Sequence, residues 1–168
     1  MRSRYIAALT AGIVGGVLLA GYLAVSFILE LAAWNAWVPG AGTASNACGC
    51  LTLPAILIIS LATGVLAAMR AKDLTKLSDA AIVSALAGAL AGLIYGVVNV
   101  IIAFLRPAIE FGMAVDSSDI LGGIALGSIF GGAGGVMTCL CAPVGLILIA
   151  VVAAIGGAIY ASVKLNLK

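Results

Sequence analysis

The sequence has no histidine and very few charged residues. Lys, Arg, Asp and Glu together make up 8% of its 168 residues. A soluble domain needs about a quarter of its residues charged to present a hydrated surface. The hydrophobic fraction is instead 64%, and the mean hydropathy is +1.31. This composition excludes an ordinary soluble domain and predicts an all-α integral membrane protein, with residues 1–168 forming a single membrane domain.

Several function classes lack the residues that they need. The formal net charge is +2 and no Lys/Arg-rich run is present, which argues against nucleic acid as a partner. Without histidine, the commonest general acid–base group is missing. The sequence also has no nucleotide-binding loop and no paired carboxylates within an apolar run. We therefore expect a protein that is not an enzyme.

Four apolar runs are long enough to cross a bilayer, which takes about 20 residues. They cover residues 5–29, 51–69, 80–105 and 143–163. The first resembles a secretory signal, but its apolar run exceeds the roughly 7–15 residues of a signal core, so we expect it to be retained. Pro39-Gly40 predicts a loop that extends to Cys48, and Arg106-Pro107 predicts the end of the third helix.

The two halves of the chain align with one another. Gly12 and Gly16 match Gly88 and Gly92 at a shift of 76 residues, and Cys48 matches Cys139 at a shift of 91 (139 − 48). The pattern predicts a duplicated helical hairpin, with repeat 1 at residues 1–76 and repeat 2 at 77–168. Chance repetition is the competing explanation, because small residues are frequent throughout the chain.

The second repeat carries an additional apolar segment, residues 120–137, with seven glycines. Glycine weakens a helix in water by up to about 1 kcal/mol relative to alanine. We therefore favour a re-entrant or interfacial segment packed against the other helices, and four transmembrane helices in total. The alternative is a fifth, short span, which would place the two cysteine pairs on opposite faces of the membrane.

The basic residues predict the orientation. Seven of the eight lie at the N-terminus, the central loop or the C-terminus. Because basic residues accumulate on the cytoplasmic side, four spans place both termini in the cytoplasm of a multi-pass protein of the cell membrane. Both cysteine pairs then lie at the outer face.

The four cysteines form two Cys-x-Cys pairs: Cys48, Cys50, Cys139 and Cys141. Brought together, four thiolates could hold zinc, an iron–sulfur cluster or Cu(I). The spacing is not the Cys-x-x-Cys of typical zinc sites, so we favour disulfides between the hairpins on an oxidising outer face. Simple packing of small apolar side chains, or a reactive thiol, is the third interpretation. No other cofactor is expected.

Small residues recur at every fourth position in the first and third runs, which places them on one helix face. This GxxxG-like spacing predicts close helix packing, either within the bundle or between copies. The predicted packing residues are Gly12, Gly16, Ala20, Ser84, Gly88, Gly92 and Gly96.

Three polar residues lie within or at the ends of the spans. Asn99 is expected to bond across helices or, alternatively, to line a pore. The shift of 76 that aligns the repeats places Glu30 opposite Arg106, and it predicts an ion pair between them.

Three functions fit these features. The first is a small non-enzymatic membrane protein that self-associates, or serves as an accessory subunit of a membrane complex, through its glycine-rich faces. Its partners would be the lipid bilayer and either further copies or a larger membrane complex. The second is a thiol-based metal-binding or redox module at the outer face, and the third is an oligomeric channel or permeation subunit.

Overall fold

The computed structural model describes residues 2–34, 41–71, 74–114 and 143–164. Four helices account for nearly all of them: α1 (Arg2–Trp34), α2 (Ala41–Arg70), α3 (Leu77–Ala114) and α4 (Pro143–Lys164). Each is long and apolar enough to cross a membrane. The prediction of an all-helical chain with four long apolar helices is therefore confirmed for the described residues. The glycine-rich segment 120–137 lies outside them, and the duplication stays a prediction.

Two helix ends differ from the prediction. α2 begins at Ala41 rather than after Cys48, so Pro54 lies inside the helix and not in its first turn. α3 continues through Pro107 to Ala114. A proline removes one hydrogen bond without necessarily ending a helix. Near a bilayer, where few waters can satisfy backbone groups, continuing the helix is the favourable choice for the chain.

Side-chain size separates the interior of the bundle from its exterior. Of the fourteen buried hydrophobic residues among those described, eleven are alanine. Large apolar side chains point outward instead: Leu53 is 73% exposed and Val163 is 76% exposed. An apolar exterior of this size is unfavourable in water, whereas it is compatible with contact to lipid. In lipid, small interior residues let helix backbones approach closely, and this packing drives helix association.

The contacts define the direction of each helix. Gly12 of α1 packs against Ala87 of α3, and Glu30 further along α1 contacts Arg106 further along α3. The two helices therefore run parallel. Along α3, Ser84, Gly88 and Gly92 meet progressively earlier residues of α4, so α4 runs antiparallel to α3. α1 also packs against α2, and α2 contacts α4. The bundle therefore has an Arg4 end, where α1 and α3 begin, and an Arg106 end.

Candidate functional site

The centre of the bundle is a contact among α2, α3 and α4 that we call the central crossing, formed by Gly64, Ser84, Ala153 and Gly157. The fully buried Ser84 donates a hydrogen bond from Oγ to the Gly64 carbonyl oxygen at 2.9 Å. Gly64 lies directly against the Ala153 backbone, and Gly157 lies against the Ser84 side chain. A methyl group at either glycine would overlap these atoms. The crossing therefore requires residues without a side chain at both positions.

The glycines of α1 bring that helix against its neighbours. A Cβ added at Gly12 would lie 2.8 Å from the Ala87 carbonyl oxygen, and one at Gly16 would lie 2.6 Å from Ile94 Cδ1, both on α3. Gly15, one position away, faces Thr63 of α2. Small residues on two adjacent faces thus allow α1 to contact two helices at once.

The glycines of α3 serve the contact with α4. A Cβ at Gly88 would lie 2.9 Å from Ala150 Cα, and one at Gly92 would lie 3.2 Å from Leu146 Cα. Together with Gly12 and Gly16, these residues pack within a single chain. They are therefore already covered and offer no surface to a second copy.

Two of the predicted packing residues are less enclosed. Ala20 is partly buried. Within the part of the chain that the structure describes, Gly96 has no neighbouring atom within 4 Å of a Cβ built on it. Gly96 lies about one turn beyond Gly92, in a groove between α3 and the first residues of α4. This Gly96 groove has a volume of about 510 Å³ and is lined by Leu93, Gly96, Val97, Val100, Ile101, Pro143, Leu146 and Ile147.

Ion pairs join α1 and α3 at both ends. Arg106 Nη2 donates to Glu30 Oε1, which is the pair that the repeat alignment predicts. At the other end, Arg4 Nη1 lies 3.2 Å from Asp79 Oδ2. The pairs are separated by 26 residues of α1 (30 − 4) and 27 of α3 (106 − 79). At 1.5 Å per residue this is about 40 Å, close to the thickness of a bilayer with its headgroups.

These ion pairs contribute more to register than to stability. The paired side chains retain between 24% and 44% of their exposure. Exposed pairs contribute little to stability, because water and salt screen them. Asp79 also accepts a hydrogen bond from Thr75 Oγ1 at 2.9 Å, which holds its carboxylate beside Arg4. Matched charges at both ends nevertheless disfavour a shift of α1 along α3, because a shift would separate both pairs together.

Most of the predicted sulfur site lies outside the described residues. The backbone of Cys48 belongs to α2, but its side chain is not described, and neither are Cys139 and Cys141. Cys50 is exposed and has no disulfide partner among the described residues. Within the described ranges, no group of three or more His, Cys, Asp or Glu side chains could hold a metal ion. The disulfide, zinc, iron–sulfur and copper interpretations therefore remain predictions.

Asn99 lies in the half of α3 toward Arg106 and is partly exposed. It is not among the residues that line the Gly96 groove. Sequence reasoning missed Gly15, Gly64, Gly156 and Gly157, all of which make close helix contacts. The adjacent pairs Gly15-Gly16 and Gly156-Gly157 were a usable signal, because two consecutive glycines leave two neighbouring helix faces open.

Four long apolar helices, a small-residue interior and a large apolar exterior place the chain in the class of multi-pass helical membrane proteins. No family model matches it, and no curated protein or solved structure shows significant similarity to it.

Proposed function

We propose that the chain is a non-enzymatic multi-pass membrane protein that self-associates through the Gly96 groove, as a subunit of a membrane assembly. The observation that carries the proposal is the contrast among the α3 glycines. Gly88 and Gly92 are covered by α4, whereas Gly96, on the same face, has no neighbour within 4 Å among the described residues. An uncovered glycine in an apolar groove is typical of surfaces where another helix packs closely.

The walls of the groove support this proposal. Leu93 and Val97 are each 53% exposed, and Ile101 is 50% exposed. Lipid tails are as apolar as these side chains, so the hydrophobic effect does not drive helix association here, and close packing must do so. A second copy is the occupant that we propose. A twofold arrangement sets Gly96 of one chain against Gly96 of the other, so the same residue allows close approach from both sides.

We further propose that the Arg4 end faces the cytoplasm, in the cell membrane. Arg4 lies in the first turn of α1, and Arg70 ends α2. Lys76 precedes α3 and Lys164 ends α4. With α1 and α3 parallel, these residues gather at one end of the bundle, whereas Arg106 lies at the other. Such an asymmetry favours the basic end on the cytoplasmic side.

Replacing Gly96 with leucine should weaken self-association while leaving each chain folded. The new side chain has space within its own chain but would occupy the groove that the second copy needs. We expect the dimer dissociation constant to rise by about tenfold or more, as overpacking of a close interface implies. The measurement is the dimer fraction against the protein-to-lipid ratio in vesicles, read by energy transfer between labelled copies.

Gly21→Leu is the matched control. Gly21 also has no described neighbour within 4 Å, but it lies on α1, away from the groove. Its dimer fraction should equal that of the unmodified chain. A chain that stays monomeric at every protein-to-lipid ratio would rule out self-association. An equal loss of dimer in both variants would show that the Gly96 groove is not the interface.

A further inference from the structure

A second groove lies on the surface of α1 and α3 at the Arg4 end, on the part of the bundle that the proposed self-association does not use. It consists of two adjacent chambers that share two lining residues. The polar chamber, of about 210 Å³, is lined by Arg4, Tyr5, Asp79, Ile82, Val83 and Leu86. The apolar chamber, of about 390 Å³, is lined by Tyr5, Ile6, Ala8, Leu9, Leu86 and Leu90. Tyr5 and Leu86 form walls of both, so we treat the two as one Arg4 groove.

The Arg4 groove is polar at one end and apolar along the rest, as a lipid is polar at its headgroup and apolar along its acyl chains. The ion pair lies at the end of the helices, and only apolar side chains and Tyr5 follow toward the membrane centre. From Asp79 to Leu90 is 11 residues (90 − 79), or about 16 Å of helix. This is about half of the hydrocarbon thickness, which is about 30 Å. The groove therefore has the depth of a single leaflet.

The groove ends where α1 and α3 come into direct contact. At Gly12, a Cβ would lie 2.8 Å from the Ala87 carbonyl oxygen and 2.9 Å from Leu90 Cβ. Nothing as wide as a hydrocarbon chain passes between helices at that separation. The exposed side chains Ile6, Leu9 and Leu86 flank the groove on its lipid side. An acyl chain can thus enter from the bilayer and lie along the surface without separating the two helices.

The polar chamber presents one cation and one anion, with Arg4 Nη1 and Asp79 Oδ2 3.2 Å apart. A phospholipid headgroup that ends in a primary amine carries the same two charges. A guanidinium has five N–H donors in a planar fork and can contact a carboxylate and a phosphate together. A carboxylate has about four lone-pair sites, which suffice for Thr75, Arg4 and a ligand ammonium. The charges of the groove and of such a headgroup are therefore complementary.

We propose that the Arg4 groove binds one glycerophospholipid with a primary-amine headgroup. Its phosphate contacts Arg4, its ammonium contacts Asp79, and one acyl chain occupies the apolar chamber. Neither the sulfur chemistry nor the self-association proposed above is needed for this binding, so the two proposals can fail separately.

The test is native mass spectrometry of the full chain released from vesicles with equal amounts of phosphatidylethanolamine, phosphatidylcholine and phosphatidylglycerol. We expect one retained phosphatidylethanolamine per chain, in about tenfold preference to phosphatidylcholine, whose quaternary amine cannot donate a charge-assisted hydrogen bond. Preferential retention of phosphatidylglycerol would overturn the proposal, because it would show a site that selects net negative charge. Retention without preference would overturn it as well.

Two variants separate the two chambers. Asp79→Asn removes the anion, and the ratio of retained phosphatidylethanolamine to phosphatidylcholine should fall to about one. Leu86→Trp enlarges a wall that is 45% exposed, so it fills the groove without entering the core, and it should abolish retention of any lipid. If Asp79→Asn fails to fold, the Leu86→Trp variant tests the proposal in its place, and retention of lipid by that variant would contradict it.

The matched control for charge is Glu30→Gln, which breaks the other ion pair between the same two helices. It should leave both the number and the type of retained lipids unchanged. A loss of preference in Glu30→Gln equal to that in Asp79→Asn would show that the effect comes from the α1–α3 contact in general, and it would contradict a headgroup site at Arg4.

Discussion

Replacing Gly64 with leucine should prevent the four helices from forming a stable bundle. Gly64 lies against the backbone of Ala153, and its own carbonyl oxygen accepts the Ser84 hydrogen bond. A side chain there meets a backbone carbonyl, which cannot rotate away as a flexible side chain can. Overpacking of a core costs about 1–3 kcal/mol and occasionally more. We expect the upper end of that range or beyond, because α2 and α4 must separate along their length.

The measurement is the thermal unfolding midpoint in mild detergent, followed by the loss of monodisperse protein. Gly21→Leu again supplies the control, because Gly21 has open space around it and the same leucine is added to an apolar helix. The Gly21→Leu variant should unfold at the same temperature as the unmodified chain. A Gly64→Leu protein that unfolds at the midpoint of the unmodified chain would show that α2 and α4 do not touch at this residue.

Substitutions at Ser84 should show two separate effects. Ser84→Ala removes only the hydrogen bond to the Gly64 carbonyl, and bonds between helices in a membrane contribute about 0.6–2 kcal/mol. Ser84→Leu also drives a larger side chain into Gly157, which lies against the serine. We expect the alanine variant to fold with slightly reduced stability, and the leucine variant to lose stability to the same extent as Gly64→Leu.

The free energies of unfolding of both Ser84 variants, measured in the same lipid or detergent, test this prediction. Serine at positions 60 and 162 offers a comparison, because those hydroxyls bond within their own helices, to the carbonyls of Ile56 and Ile159. Ser162→Leu, at an exposed site, should be tolerated. Equal stabilities for Ser84→Ala and Ser84→Leu would contradict the close approach of α3 and α4 at the central crossing.

The positions of the four described helices followed from the sequence because apolar length and scarce charge are local properties. The Glu30–Arg106 pair was also predictable, since the register that aligns Gly12 with Gly88 places these two charges at the same height. The ends of α2 and α3 were not predictable from Pro39-Gly40 and Pro107. Whether a helix stops at such residues depends on what satisfies the backbone beyond them, which local composition does not reveal.

The central crossing was likewise beyond the sequence pattern. Gly64 lies in a four-residue series with Ser60 and Ala68. That spacing marks a face of α2 but does not show how the face is rotated toward α4. The same limit applies to Gly96, because the sequence does not show whether another helix covers it. Spacing places it on one face with Gly88 and Gly92, but only the structure shows that no described residue lies within 4 Å of a Cβ built on it. Periodicity identifies a face, whereas the crossing geometry decides where along that face two helices meet.

The central claim is that α1 and α3 run parallel in a register fixed by charges at both ends, and thiol crosslinking tests it most directly. The test uses a chain whose four native cysteines are replaced by alanine. With a short crosslinker in vesicles, the pairs Arg4→Cys with Asp79→Cys and Glu30→Cys with Arg106→Cys should each link within one chain. The mismatched pair Arg4→Cys with Arg106→Cys should not. Linking of the mismatched pair, or failure of both matched pairs, would contradict the parallel arrangement.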